Sequence, residues 1–439
     1  SLTTPFQVGT TPGAEAYVAA IATDTTFTAD KDYILTDAVF VTNGAKLTIE
    51  AGTRIYGAAY ENGAGTADNV LGSIVVTRGS QIEVLGTLAE PVLMTTIDSL
   101  EAECGNDIDG DGLTASPPTA DTVSRWGGLV VLGNAFVANW KDPDLSGLPG
   151  NGDEVNLFEK SIEGFAALNF DDLDNDGFSD IIEYGNDANV NPATLAVNNV
   201  ESSGIIQYLS IRHGGFALSD GNEINGLTLG GVGSGTTIDH VEVVANNDDG
   251  VEFFGGTVNT SHMVVTFTED DSFDIDQGHS GTHQFWFAIT NSTAGDHGGE
   301  WDGVDGSFLT DGLGNSSPVI LNATFLDAGA SGSSEGIRFD DYFDGFIVNN
   351  AWGDYGVNKT FDNTGDGIGA NLALEGNVFA GANNGGAATS GFNSGNTFSQ
   401  ALGLTSVSSV PNGLLDPRPA PGSFLLDSVN TKDFDESVI

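Results

Sequence analysis

Basic residues are scarce in this 439-residue chain: 12 Lys and Arg stand against 62 Asp and Glu, a formal net charge of -50. A phosphate backbone or an anionic membrane surface needs a basic groove or patch to meet it, so nucleic acid and anionic lipid are excluded as direct partners. Sulfur is nearly absent too. One cysteine, Cys104, and two methionines rule out an internal disulfide framework and any multi-cysteine zinc site. No run of 18 apolar residues appears, so the sequence offers no transmembrane helix. The opening SLTTPFQVG has neither the basic nor the apolar region of a signal peptide, which fits a mature exported chain.

What is present supports a folded protein. Hydrophobic residues make up 39% of the chain, with 26 Phe among them, enough for a core and against charge-driven disorder. The 61 glycines fall at turns between short β-rich runs, so many tight turns are expected.

An internal repeat organises the sequence. Residues 235–256, GTTIDHVEVVANNDDGVEFFGG, align without a gap on residues 257–278, TVNTSHMVVTFTEDDSFDIDQG. His240 falls on His262, Asp248 and Asp249 on Asp270 and Asp271, and Glu252 on Asp274. HQFWFAITNS with HGGEWDG continues the pattern after a short insertion, placing Glu300 and Trp301 on Asp274 and Ile275. A period near 22 residues with short strands and no helical period predicts an all-β right-handed parallel β-helix, a solenoid in which each coil buries its apolar face only by stacking. Val241, Met263 and Phe285 are expected in one internal row, and Val243, Val265 and Phe287 in another. The expected organisation is a cap over residues 1–29, the β-helix over 30–415 with loop insertions at 100–124 and 141–200, and a tail over 416–439. Roughly 13 rungs follow at this period.

The phrases GAKLTIEAGTRIYG, RGSQIEVLGTLAEPVLMTT, RWGGLVVLGNA, GIIQYLSIRHGG and DGVEFFGGTVN resemble a family of secreted bacterial right-handed parallel β-helix proteins in the broad pectate-lyase-like superfamily. The resemblance implies the fold and export, and leaves biochemical activity open.

Candidate chemistry concentrates in acidic loops. In DLDNDGFSDIIE, Asp172, Asp174, Asp176, Asp180 and Glu183 occupy positions 1, 3, 5, 9 and 12 of a calcium-loop pattern, with Gly177 sixth and a Phe178 backbone carbonyl seventh. Ca2+ takes six to eight oxygens, and this spacing converges them. DIDGDGLT offers Asp107, Asp109 and Asp111 without the distal glutamate, a weaker half-site. The pairs Asp248-Asp249 and Asp270-Asp271 should stack at one corner, where like charges require water, shared protons or a bridging cation.

The catalytic alternative is a comparison with polygalacturonases, which share the expected fold and use clustered Asp with a Gly-His-Gly and an Arg-x-Lys. Here His279 follows Asp270, Asp271, Asp274 and Asp276 too closely, Ser280 replaces the second glycine, and no lysine follows Arg338. Stacked His240 and His262 could ligate a transition metal, but such histidines more often form ordinary ladders. Cys104 sits beside an acidic loop with no basic partner in sequence, a setting unsuited to a thiolate nucleophile.

With no convergent acid, base and cation set visible along the sequence, the chain reads as a non-enzymatic, calcium-stabilised surface or extracellular protein that self-associates, as an S-layer, sheath or filament subunit. An adhesin or glycan-binding β-helix, and a polysaccharide lyase or hydrolase, are the alternatives.

Overall fold

The structure is a computed structural model that describes residues 19–60, 70–108, 114–138, 160–162, 182–185, 199–216, 224–290, 294–303, 315–327, 335–353, 362–363, 368–380, 395–398, 400–406 and 416–426. These form a right-handed parallel β-helix with three faces. Face 1 is a ten-stranded parallel sheet, from Ala19–Ile21 through Ala38–Val41, Ser73–Val76, Gly128–Leu132, Leu227–Gly230, Val251–Phe254, Phe273–Asp276, Glu300–Asp302 and Arg338–Asp340 to Asp362–Asn363. Faces 2 and 3 belong to one 18-stranded sheet. In the middle of the solenoid a single strand per rung serves both: Gly204–Arg212, Thr237–Val244 and Asn259–Thr266. Each bends at a residue in the left-handed region, Tyr208 (φ 48°), His240 (55°) and His262 (53°), which drops out of the hydrogen-bonded ladder.

Val241 lies directly over Met263 and Val243 over Val265, all four inside. The next rung departs from the expected rows. Val264 pairs with Phe287 and Val265 with Ala288, because one extra residue separates these coils. A one-residue slip exchanges the faces of a strand. Trp286 and Ala288 therefore enter the core, while Phe285 lands on the corner, 45% exposed. The exact 22-residue period holds among the described residues between the strands of residues 25–57 and of 237–276, and excursions of other lengths separate the remaining strands. The expected 13 rungs become ten face 1 strands among the described residues. The segment read as an N-terminal cap supplies the strands Ala19–Ile21 and Thr25–Phe27, which join the two sheets.

A further departure is the helix Ile97–Cys104, within a stretch expected to be loop from residue 100. Thr96 caps it by accepting from the Asp98 N–H, Gly105 closes it in the left-handed conformation (φ 67°), and Ile97 and Leu100 face inward. These are ordinary helix boundaries at a scale too short for the solenoid period to reveal. Buried Glu101 accepts the Ile108 and Ala115 N–H groups at 2.7 and 3.1 Å, pinning the following segment.

The core runs the length of the solenoid as stacked aliphatic and aromatic rows. Phe273 and Trp286 stack at 4.1 Å with nearly parallel rings, and Phe325, Trp352 and Phe379 continue the pile at 5.3 and 4.8 Å. Near the C-terminal end, Asn350, Asn377 and Asn396 each turn an amide inward and bond the backbone of the rungs around them. Removing a ring from such a pile leaves a void that neighbours on a rigid ladder cannot fill. Phe273→Ala should lower the unfolding free energy by about 3–5 kcal/mol, measurable by urea denaturation, whereas the same change at half-buried Phe287 should cost less.

Candidate functional site: an acidic ladder on face 1

The outer surface of face 1 changes character along the solenoid axis. Over the early rungs it is apolar: Phe40, Val75, Val130 and Leu132 point outward and are covered by Val137, Ile162, Ile182 and Tyr184. Ile162 follows Lys160–Ser161, which pairs antiparallel with Glu183–Tyr184. The Tyr184 ring fills the space above Gly230, where a Cβ would lie 2.7 Å from it, and its hydroxyl donates to Gln277 Oε1 at 2.9 Å. Beyond this cover the same outward column becomes charged. Thr228, Glu252, Asp274, Glu300 and Arg338 succeed one another in direct cross-strand register, and Asp302 with Asp340 forms a parallel column two residues on.

The turn leading into face 1 adds a second row. Asp249 accepts the Asp271 N–H at 3.0 Å, and Asp271 accepts both the His297 backbone N–H at 2.7 Å and its Nδ1–H at 2.8 Å. His297 also approaches Glu300 at 3.6 Å and Glu335 at 3.8 Å. Arg338 meets Glu300 at 2.5 Å and Asp340 at 3.1 Å. Asn225 donates to Glu252.

Carboxyls so crowded and so dry cannot all be ionised. Burial, then the neighbouring Asp248 and Asp274, hold Asp249 well above the usual carboxylate range. Burial, then Asp302 and Asp271, do the same to Asp274, which is also hydrogen-bonded to Glu252. Burial and Asp271 push Glu300 up to about 8 against the pull of His297. Burial with Asp276 and Asp340 pushes Asp302 up to about 8. Asp271 is the exception: burial would raise it, but the hydrogen bond and charge of His297 bring it below the ordinary value. Burial opposes charge on His297 as well, and Asp271, Asp296 and Glu300 overcome it and raise the imidazole to about 9. The ladder thus holds two fixed cations, His297 on Asp271 and Arg338 between Glu300 and Asp340, among carboxyls several of which retain protons near neutrality.

Three groups in this region place ligand atoms within 4.8 Å of one another: Asp248 with Asp249 and Asp270; Asp249 with Glu252 and Asp274; and Asp271 with His297 and Glu300. One Asp274 oxygen and one Asp302 oxygen are buried without a hydrogen-bond partner among the described residues. A hard divalent cation would satisfy such oxygens in place of protons.

The sequence-based candidates fare unevenly. Asp172, Asp174, Asp176, Phe178 and Asp180 lie outside the described residues, and of the six candidate ligands the structure places only the Glu183 backbone, in the strand Glu183–Tyr184. Asp109 and Asp111 also lie outside the described residues, and Asp107 is exposed. The pairs Asp248-Asp249 and Asp270-Asp271 do come together. His279 is fully buried inside the solenoid, where Phe253 packs on its ring at 4.7 Å, so it does not belong to the acidic surface. His240 and His262 stack as expected, 4.4 Å apart, each ring bonded to Asp239. Cys104 is exposed.

The sequence shows no convergent set of acids and cations, yet the structure assembles one. Glu300 and Trp301 were legible as matches to Asp274 and Ile275, and the structure pairs them so. Arg338, His297 and Asp302 were not joined to them, because excursions of unequal length separate their rungs. The available signal was the outward position of each face 1 strand, one residue before the buried residue: Glu252 before Phe253, Asp274 before Ile275, Glu300 before Trp301, Arg338 before Phe339.

A family model of pectate-lyase-like β-helix domains matches residues 19–110 and 182–374, and the chain belongs to that family. No curated protein and no solved structure matches the chain. Among the described residues no helix is long and apolar enough to cross a membrane.

Proposed function

We propose that this chain is an exported, non-enzymatic structural element of the cell surface or extracellular space, a rigid β-helix stabilised by calcium and able to associate with copies of itself as an S-layer, sheath or filament subunit. The face 1 ladder carries this reading: buried, mutually close carboxyl oxygens supply a hard-cation donor set, and both nearby basic side chains, His297 and Arg338, are already engaged by carboxylates. The pattern Asp172, Asp174, Asp176, Phe178, Asp180 and Glu183 supplies a second calcium locus, with Asp107, Asp109 and Asp111 a weaker third. At a net charge of -50, copies repel one another at low salt, while divalent cations both screen and bridge carboxylates on facing surfaces. A rigid rod presenting the same faces in each copy extends by a contact that does not close.

Light scattering during a calcium titration tests the association. Scattering should rise steeply with calcium and stay flat in sodium chloride at matched ionic strength, since screening alone supplies no ligand geometry. A chain that remains monomeric throughout removes the self-association.

A second reading, a polysaccharide hydrolase, is favoured by one observation. Glu300, held up to about 8, stands beside ionised Asp271, and a protonated acid beside a carboxylate is the pair that glycoside hydrolysis uses. Release of reducing ends from a neutral polysaccharide, abolished by Glu300→Gln in a variant that still folds, would replace the structural reading with this one.

A further inference from the structure

The corner between faces 2 and 3 carries an external pile of rings. Tyr208 and His240 stack at 4.4 Å, His240 and His262 at 4.4 Å, and His262 and Phe285 at 5.0 Å. All four residues sit at positive φ, between 48° and 61°. Histidine tolerates this conformation, but Tyr208 and Phe285 adopt it at a higher cost than Asn or Gly would, and the following rungs indeed use Asn322, Asn349 and Gly376. Strained backbone carrying rings in solvent calls for an explanation other than packing.

Tyr208 heads the pile. Its second ring face has no aromatic partner among the described residues, and it borders a groove of about 380 Å³ whose lip is formed by Leu88 and Pro91. Leu88 is 85% exposed, an unusual position for a leucine beside an aromatic wall. On the other side stand Arg212 and Glu242. Arg212 Nη2 meets Glu242 Oε2 at 2.9 Å, Arg212 Nε donates to Ser210 Oγ at 2.8 Å, and Ser210 Oγ donates to Glu242 Oε2 at 2.6 Å. This triangle fixes both charged groups side by side while leaving Glu242 Oε1, Arg212 Nη1 and the Tyr208 hydroxyl without protein partners among the described residues.

An aromatic face, an apolar lip and an adjacent fixed donor and acceptor form the set that a pyranose ring fits. Its C–H face lies on the ring, and two neighbouring hydroxyls meet the carboxylate and the guanidinium. The net charge of -50 and the neutralised Arg212 work against an anionic sugar. We infer that this groove is a saccharide subsite that takes a neutral pyranose unit of a glycan, stacked on Tyr208 and held by Glu242 and Arg212. It lies apart from the face 1 ladder and does not depend on cation binding there.

The test uses the whole chain, in buffer with calcium, against immobilised oligomers of cellulose, xylan, mannan, laminarin and chitin, with oligogalacturonate and alginate as anionic controls. Tyr208→Asn removes the ring at a position whose backbone suits Asn, and Glu242→Gln removes the charged acceptor; circular dichroism and melting temperature confirm that both remain folded. The wild type should retain at least one neutral oligomer, and each variant should weaken that binding at least tenfold. Binding to none of the neutral oligomers, binding only to the anionic ones, or neutral binding that both variants preserve would each overturn the subsite. Leu88→Ser provides a further check away from the strained corner, with a smaller loss expected.

Discussion

In the presence of EDTA, raising the pH from 6 to 9 should lower the unfolding free energy of this protein by several kcal/mol, and millimolar calcium should remove most of that fall. Glu300 and Asp302 bind protons in the folded state up to about pH 8, whereas carboxyls of an unfolded chain ionise near about pH 4. Between those limits the folded state holds more protons, so stability declines as pH rises through the window. His297 acts in the same direction: its folded value of about 9 gives stability that is fully present below about pH 6.5 and lost as pH climbs through 9. Each tenfold difference in proton affinity between the folded and unfolded states is worth about 1.4 kcal/mol, so the groups together account for a change of that size. A cation among the carboxyl oxygens takes the place of the protons and flattens the curve. Asp274→Asn relieves the crowding without metal, and in EDTA at pH 8 it should be more stable than the wild type by about 2 kcal/mol while showing a weaker response to calcium. Chemical denaturation across pH, with and without calcium, reads all of these.

Thr260→Val should destabilise the solenoid by about 2–5 kcal/mol at neutral pH, a large effect for the loss of one hydroxyl. The reason is a buried proton chain. His279 Nδ1 faces the Gly255 carbonyl at 2.7 Å, so that nitrogen must carry the hydrogen and Nε2 must accept. His283 Nε2, 2.8 Å away, is then the donor, which leaves His283 Nδ1 to accept from the Thr260 hydroxyl at 2.9 Å. The Thr260 oxygen in turn accepts from Trp286 Nε1 at 2.8 Å. Every group is satisfied with both imidazoles neutral. Valine matches the shape of threonine and strands both the indole N–H and the His283 Nδ1 in the core.

Burial accordingly drops His279 to about 4 and His283 well below its ordinary value. The unfolded chain binds protons below about pH 6.5 that the folded state refuses, so this contribution is present above that pH and is lost as pH falls toward 4, about 3 kcal/mol for His279 alone. The face 1 carboxyls titrate in the opposite sense over the same range. The effect is therefore read as the difference in pH slope between wild type and His279→Gln, or directly from imidazole NMR signals of His279 and His283 that do not titrate between pH 8 and 5.

How far the sequence speaks for itself differs between fold and site. The repeat at 235–278 shows the solenoid because consecutive rungs there have equal length, and its vertical pairs Val241 with Met263 and Val243 with Val265 stand in the structure. One added residue was enough to misplace Phe285 and Phe287, because strand faces alternate and an insertion of one is nearly invisible in an apolar run such as HQFWFAI. The helix Ile97–Cys104 escaped because eight residues with local caps leave no mark on a 22-residue period. At the site, the stacked aspartates were legible from the gapless repeat, while His297 and Arg338 depended on register carried across excursions whose lengths the sequence does not constrain. The burial of His279 is not legible for a related reason: in DIDQGHSG the histidine follows acidic residues closely in sequence, but the chain turns at Gln277 and Gly278, both at positive φ, and the side chain passes into the core.

Whether the face 1 carboxyls hold a divalent cation is tested most directly by equilibrium dialysis with radioactive calcium at pH 7.5, counting ions bound per chain. The wild type is set beside Asp274→Asn and the Glu252→Gln, Asp274→Asn double variant. The expected result is a loss of one bound ion per chain in the double variant and a weakened site in the single one, with a second ion lost separately in Glu183→Ala. An unchanged calcium count in the folded double variant would contradict a cation site on face 1.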